Sequence, residues 1–340
     1  MKRNTKRAVA GFLAAVAVAG GFGWWMFFSA INANHSSSYL YVDADDNLDS
    51  VYVKMKPTAG AGSMLGVRMG AKLLGLEKRL KPGRYAMGPD VSTLQLLRSL
   101  RSGLQVPVKL TIPVTHTVQM LAGRLSKELM ADSTTLAHAF TDSLLLRQLD
   151  VDTATVPCLF LQDTYEVYWD ISPEKLLRRM KQEHDAYWTP ERVAKAQRLG
   201  LKPDEVFTLA SIVERESANE AERPAIAGMY LNRLKQGMKL QADPTVKFAL
   251  RNFALCRIMH NHLLVDSPYN TYLHPGLPAG PISIPSKNAI ESVLNAQKHA
   301  YIYMCAKEDF SGTHNFAETY EEHMKNARRY AEALNKRGVK

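Results

Sequence analysis

The chain has 340 residues, a formal net charge of +10, 46% hydrophobic residues, 22% charged residues and three cysteines. That length accommodates two compact domains and a tail. The apolar fraction is that of a globular protein rather than a disordered one. The basic residues are scattered, and no RNP motif, zinc-finger spacing or basic helix points to nucleic acid.

The N-terminus sets the compartment. Lys2, Arg3, Lys6 and Arg7 precede an uncharged apolar run from Ala8 to about Ile31. That run is long enough to cross a bilayer as a helix. Trp24, Trp25, Phe27 and Phe28 form an aromatic belt at its end. A cleaved signal peptide has a shorter apolar core and a small-x-small cleavage site, and Ala30-Ile31-Asn32 is a poor one. The reading is an uncleaved anchor (8–31) behind a basic cytoplasmic tail (1–7). Positive residues stay inside, so everything downstream of this single-pass anchor is expected to face outward, away from the cytoplasm.

Residues 32–48 are polar, include Ser36-Ser37-Ser38, and read as a linker. Val51 to Met55 alternates like a strand. Ser63 to Leu76 has a helical apolar pattern, and Lys81-Pro82-Gly83 turns into a short strand. Ser92 caps a helix that stops near Gly103, and Val106 to Ile112 alternates again. Residues 49–112 therefore read as a small α+β module.

From residue 113 the chain turns helical. Thr117 to Met130 and Ser133 to Gln148 are amphipathic. Ser172-Pro173 and Thr189-Pro190 each place a cap before a first-turn proline. Pro203 opens the helix that carries Leu209-Ala210-Ser211-Ile212-Val213-Glu214-Arg215-Glu216. Val206, Leu209, Ala210 and Val213 recur at the spacing of a buried face, and Glu214 falls at its edge. A carboxyl beside apolar surface resists ionisation, which is what a general acid requires. Glu216, two residues on, points about 160° away on an ideal helix. Pro224 opens the next helix, Asp243 reads as the cap of a short one, and Tyr301–Met304 with Thr313–Phe316 reads as a strand pair. A helix from Thr319 to Lys336 closes the chain.

Cys158, Cys256 and Cys305 form no C-x-x-C pair, and His260-Asn261-His262 lacks a third ligand at a convincing spacing, so no metal is expected. Gly60-Ala61-Gly62 lacks the rest of a dinucleotide fingerprint, and no G-x-S-x-G elbow is present. No cofactor is expected.

Beyond Glu214 the sequence runs through Glu222-Arg223-Pro224, Tyr230-Leu231-Asn232-Arg233-Leu234 and Gln241-Ala242-Asp243-Pro244. It continues through Ser267-Pro268-Tyr269-Asn270-Thr271-Tyr272, Gly276-Leu277-Pro278-Ala279-Gly280-Pro281-Ile282 and His314-Asn315-Phe316. This ordered series resembles the MltG (YceG-like) family of endolytic murein transglycosylases. The family usually reads Phe-Pro-Asp-Thr-Tyr where this chain has Leu161-Gln162-Asp163-Thr164-Tyr165. The resemblance implies that residues 113–340 are a mixed, helix-rich catalytic domain and that 49–112 is a LysM-like module, a glycan binder or a spacer. It also implies that Glu214 is the general acid and base of a lytic transglycosylase. Such an enzyme cleaves the MurNAc–GlcNAc bond of nascent peptidoglycan and leaves 1,6-anhydromuramic ends. Gln241, Asp243, Tyr269, Asn270, Thr271, Tyr272 and His314 are the candidate substrate contacts, since hydroxyls, amides and flat rings suit sugars. The implied partners are glycan strands, whose lactyl and peptide carboxylates suit a basic protein, and peptidoglycan synthases. Two alternatives stay open. A hydrolytic muramidase needs a second carboxylate, with Glu220 or Asp243 nearby. A non-catalytic glycan-binding scaffold has no need of Glu214.

Overall fold

The computed structural model describes residues 2–32, 37–255 and 257–337. Cys256 and Ser36 of the serine run lie outside them. The fold is α+β and helix-rich, with one apolar N-terminal helix and three two-stranded sheets among the described residues. The chain divides into two units. One comprises residues 1–110, 128–130 and 165–171; the other comprises residues 111–127, 131–164 and 172–340.

The first unit begins with α1 (Lys2–Phe28). Its Arg7–Phe28 stretch is long and apolar enough to span a membrane and is almost wholly exposed. The apolar run was expected to continue to Ile31, but the helix stops at Phe28. Ile31 is fully buried in the unit's core, and its N–H donates to the Val91 carbonyl at 2.8 Å. Strand β1 (Tyr39–Val42) follows, inside the stretch expected to be a linker, and pairs antiparallel with β2 (Gly83–Ala86). Leu40 and Val42 point inward and Tyr39 and Tyr41 outward, the period-two pattern of a half-buried strand.

Between these strands lie α2 (Leu48–Met55) and α3 (Ala61–Leu73). The strand expected at Val51–Met55 is instead the body of α2. The alternation there is short, and a reciprocal capping box between Asn47 and Ser50 starts a helix that buries Val51 and Met55 at i, i+4. The expected helix and stop signal around Ser92 and Gly103 are both present. Ser92 and Gln95 form a capping box for α4 (Thr93–Ser102), and Gly103 ends it at φ +75°. β3 (Val108–Thr111) and β4 (Thr164–Val167) form the second sheet.

The second unit starts with α5 (Val118–Leu125), shorter than expected. The expected long helix over Ser133–Gln148 is two helices, α6 (Ser133–Ala139) and α7 (Ser143–Gln148). Asp142 breaks it by accepting from the N–H groups of Leu144 and Leu145, so a cap outcompetes helix continuation. Next come α8 (Pro173–Tyr187), α9 (Pro190–Leu199) and α10 (Pro203–Glu216), each opened by its proline. Then come α11 (Arg223–Lys235), α12 (Asp243–Ala249) and α13 (Lys287–Leu294). The third sheet is an antiparallel hairpin of β5 (Tyr303–Ala306) and β6 (His314–Ala317), and α14 (Tyr320–Lys336) follows it. α10 is the axis of the unit: every residue from Val206 to Val213 is buried, and it packs against α9, α11, α12 and α13. At about 25 cal/mol per Å² of apolar surface, burial of that kind dominates the stability of the unit.

Candidate active site

The end of α10 presents two carboxylates in opposite directions. Glu214 leaves the buried face and meets the start of α13. Its oxygens accept from the Ser286 hydroxyl at 2.5 Å and from the Ser286 backbone N–H at 3.2 and 3.3 Å. Ser286 is also the N-cap of α13, accepting from the Ala289 N–H. A helix N-terminus favours an anion, because its first N–H groups lack partners within the helix. Arg223 at the start of α11 stands 3.6 Å from Glu214 and is itself buried. Arg223 also lies 3.6 Å from Glu220 and donates to Asn288 Oδ1 at 3.3 Å and the Ser217 carbonyl at 3.5 Å. The side chain of Glu214 keeps 12% of its surface exposed. It is thus held by donors on one side and reachable from the other.

The segment that delivers Ser286 is pinned from several directions. The Ile282 N–H donates to Ser211 Oγ at 3.0 Å, and Ser211 in turn donates to the Thr208 carbonyl within α10. The Ile284 N–H donates to the Thr115 carbonyl at 2.9 Å. Gln162, where the family pattern has proline, donates to the Ile284 carbonyl at 2.6 Å. Neighbouring Asp163 pairs with Lys287, which holds its carboxyl below the usual range. The departure from the family pattern therefore adds a tie to the loop that carries Ser286.

Glu216 faces α11 instead and accepts from the Tyr230 hydroxyl at 2.6 Å. Burial pushes its carboxyl up from the ordinary value, against the Tyr230 hydrogen bond, and Asp243 nearby adds to the rise. Tyr272 donates to Asp243 Oδ1 at 2.6 Å. Burial and that carboxylate push the Tyr272 phenol up. Asp243 is not the cap expected of it: Ala242 holds the N-cap position of α12, and the Asp243 carboxylate is exposed and turned to Tyr272. Gln241, also exposed, sits at φ +50°, a conformation a non-glycine residue adopts only where its surroundings enforce it. The enforcing contact is its N–H, which donates to the Thr271 carbonyl at 3.1 Å.

The remaining candidates divide. Asn270 and Thr271 are buried. Asn270 donates to the carbonyls of Leu263 and Val265, and Thr271 bonds the Ala242 N–H and Thr245. They hold the loop that bears Tyr272 and do not reach its surface. Tyr269 packs on Phe248 with ring centroids 4.6 Å apart, in a cavity of about 370 Å³ shared with His116. Gly276, at φ +82°, Leu277 and Pro278 line a separate cavity of about 410 Å³. His314 is held by Glu222, whose carboxylate accepts from its N–H at 2.6 Å and lies 2.9 Å from Nδ1. Glu222 thus binds a histidine across the unit rather than capping α11 with its side chain. A cavity of about 740 Å³ between α9, α11 and the segment after α13 does not include Glu214. The Glu214 carboxylate and that cavity are therefore separate. Among the described residues no three His, Cys, Asp or Glu side chains converge to hold a metal.

Sequence reasoning missed Ser286, Arg223 and the Glu216–Tyr230 pair. Ser286 had a signal, since a serine before the periodic Ala289, Ile290, Val293 and Leu294 reads as an N-cap. That this cap receives Glu214 is a tertiary fact.

These features define a helix-rich α+β protein with one apolar N-terminal helix and, at the end of α10, a firmly held and partly exposed glutamate. The chain belongs to the YceG-like family, whose profile matches residues 40–329. It is 33% identical over 168 residues to the endolytic murein transglycosylase of Bacillus subtilis strain 168, covering 49% of this chain and 46% of the relative. It is 29% identical over 277 residues to the endolytic murein transglycosylase of Streptococcus pneumoniae serotype 2 strain D39, covering 73% and 50%. The chain spans about half the length of these curated relatives. The crystal structure of a YceG-like protein of Listeria monocytogenes superposes with a TM-score of 0.57 at 26% identity, covering 85% of this chain and 98% of that one.

Proposed function

We propose that the protein is an endolytic lytic transglycosylase of nascent peptidoglycan, with Glu214 as its general acid and base. The observation that carries this reading is the Glu214 carboxylate, fixed by Ser286 and Arg223 yet partly exposed, in a chain whose relatives bear that enzyme's name. Glu214 protonates the glycosidic oxygen between MurNAc and GlcNAc as the C1–O bond breaks. The sugar's own C6 hydroxyl attacks the anomeric carbon, and the same carboxylate takes that hydroxyl's proton. One group suffices, no water is consumed, and a 1,6-anhydromuramic end results. Exposed Asp243 and Gln241, with partly exposed Tyr272 and His314, read the strand, Tyr269 flanks it, and Asn270 and Thr271 shape the loop.

The same proposal divides the chain into cytoplasmic tail (1–7), anchor (8–31), linker (32–48, with β1 inside it), LysM-like module (49–112) and catalytic domain (113–340). The first unit's own core supports a module distinct from the catalytic one. The basic tail and apolar α1 support a single-pass inner-membrane protein with its C-terminal part outside the cytoplasm, beside the synthases that make its substrate.

The test is mass spectrometry of peptidoglycan digested by the purified protein. Anhydro ends are expected, and Glu214→Gln, folded, is expected to lose about a hundred- to ten-thousandfold in rate. Reducing ends would instead point to a muramidase using Glu220 or Asp243. Full activity of the variant would reduce Glu214 to a helix cap, and no cleavage by the parent would leave a glycan-binding scaffold.

A further inference from the structure

Three glycines of α3 receive the end of α1. A Cβ on Gly62 would meet the Trp25 ring at 2.1 Å, one on Gly66 the Met26 carbonyl oxygen at 2.6 Å, and one on Gly70 the Phe27 ring at 3.1 Å. From Gly62 to Gly70, α3 advances about 12 Å, whereas Trp25 to Phe27 covers only about 3 Å of the α1 axis. α3 therefore lies across α1 at the level of its aromatic belt, where the hydrocarbon gives way to headgroups. Ser63 fixes the junction by donating to the Ala30 carbonyl at 3.1 Å.

One face of α3 is apolar and uncovered: Leu65, Met69 and Leu73 are 46%, 47% and 78% exposed. At 100° per residue this stripe is centred about 60° round from the glycine face and roughly opposite the core residues Val67 and Ala71. It thus turns toward the side from which α1 approaches. Exposed Lys72 borders it, and Arg68, stacked over Tyr52 at 5.3 Å, stands beyond. A crosswise amphipathic helix edged by cations is the form of an interfacial helix, its apolar stripe among acyl chains and its lysine at phosphate level.

We propose that α3 lies in the lipid–water interface of the bilayer that α1 crosses, with Leu65, Met69 and Leu73 seated in lipid. The proposal rests on the reading of α1 as an anchor, and it makes the first unit a fixed platform on the membrane rather than a tethered one.

The test uses the full chain in vesicles of phosphatidylcholine and phosphatidylglycerol. Met69→Cys and Leu73→Cys carry a nitroxide, and the parent, labelled in parallel, provides the blank. Leu104→Cys is the control, since Leu104 is 71% exposed and follows the end of α4 opposite to Ser92, whose partner is Ala30. At positions 69 and 73, oxygen is expected to relax the label at least threefold more effectively, relative to a water-soluble nickel chelate, than at position 104. Equal ratios in a protein that floats with the vesicles would overturn the interfacial helix and leave the anchor standing. A protein that does not float would overturn both.

Discussion

Replacing Ser286 with alanine separates a catalytic support from a helix cap. The change removes the hydroxyl that donates to Glu214 at 2.5 Å and accepts from the Ala289 N–H at 3.2 Å. Loss of an N-cap costs about 1 kcal/mol. Loss of a hydroxyl donor to a carboxylate costs about 1.5–3 kcal/mol. The lower end applies here, because the Ser286 backbone N–H still serves Glu214 and water can enter on its exposed side. The total is about 2.5 kcal/mol, or a fall of about 5–10 °C in Tm for a unit of this size. Catalysis should suffer separately. A carboxylate free to swing from its working position costs about ten- to a hundredfold in kcat with little change in KM. Ser286→Thr retains both the hydroxyl and the cap and should restore most of each. The assay is release of soluble glycan fragments from purified peptidoglycan, with thermal unfolding run on the same samples. A Ser286→Ala protein with lowered Tm and parental kcat would refute the idea that this hydroxyl positions the acid.

Glu216 gives a pH test whose sign is fixed. Burial raises its carboxyl above the ordinary 4.5, so the fold favours the protonated form. That contribution is complete below pH 4.5 and is lost as pH rises through the folded pKa. Glu216→Gln mimics the protonated state and still accepts from Tyr230, so chemical denaturation should show the variant gaining on the parent between pH 4.5 and 8. A difference that stays flat with pH would contradict this. Gly228→Ala should cost about 1–3 kcal/mol, because its Cβ would stand 2.2 Å from the Gln297 carbonyl, which the Gln297–Pro224 hydrogen bond fixes in place. Gly123→Ala in α5, with nothing within 4 Å, should instead stabilise by up to about 1 kcal/mol; a reversed order in urea denaturation would refute the packing argument.

What the sequence determined by itself is local and periodic. First-turn prolines at 173, 190 and 203, the caps at Ser92, Ser172 and Thr189, and the stop at Gly103 are each legible, because one residue's chemistry dictates one backbone state. The apolar α1 and the buried face of α10 follow from hydropathy and a 3.6-residue period. Where periods were short, local signals misled: Val51–Met55 alternates like a strand, yet a capping box made it helix, and Asp142 split one expected helix into two. The tertiary structure alone decided what the carboxylates meet. Nothing in the spacing of Glu214 and Ser286, 72 residues apart, announces their bond. Nor does it reveal that Glu216 turns to Tyr230, that Glu222 holds His314, or that Asn270 and Thr271 are spent inside the loop. A hydrogen bond between distant segments depends on where packed helices bring their ends, and that placement is set by the whole core at once rather than by any stretch of chain.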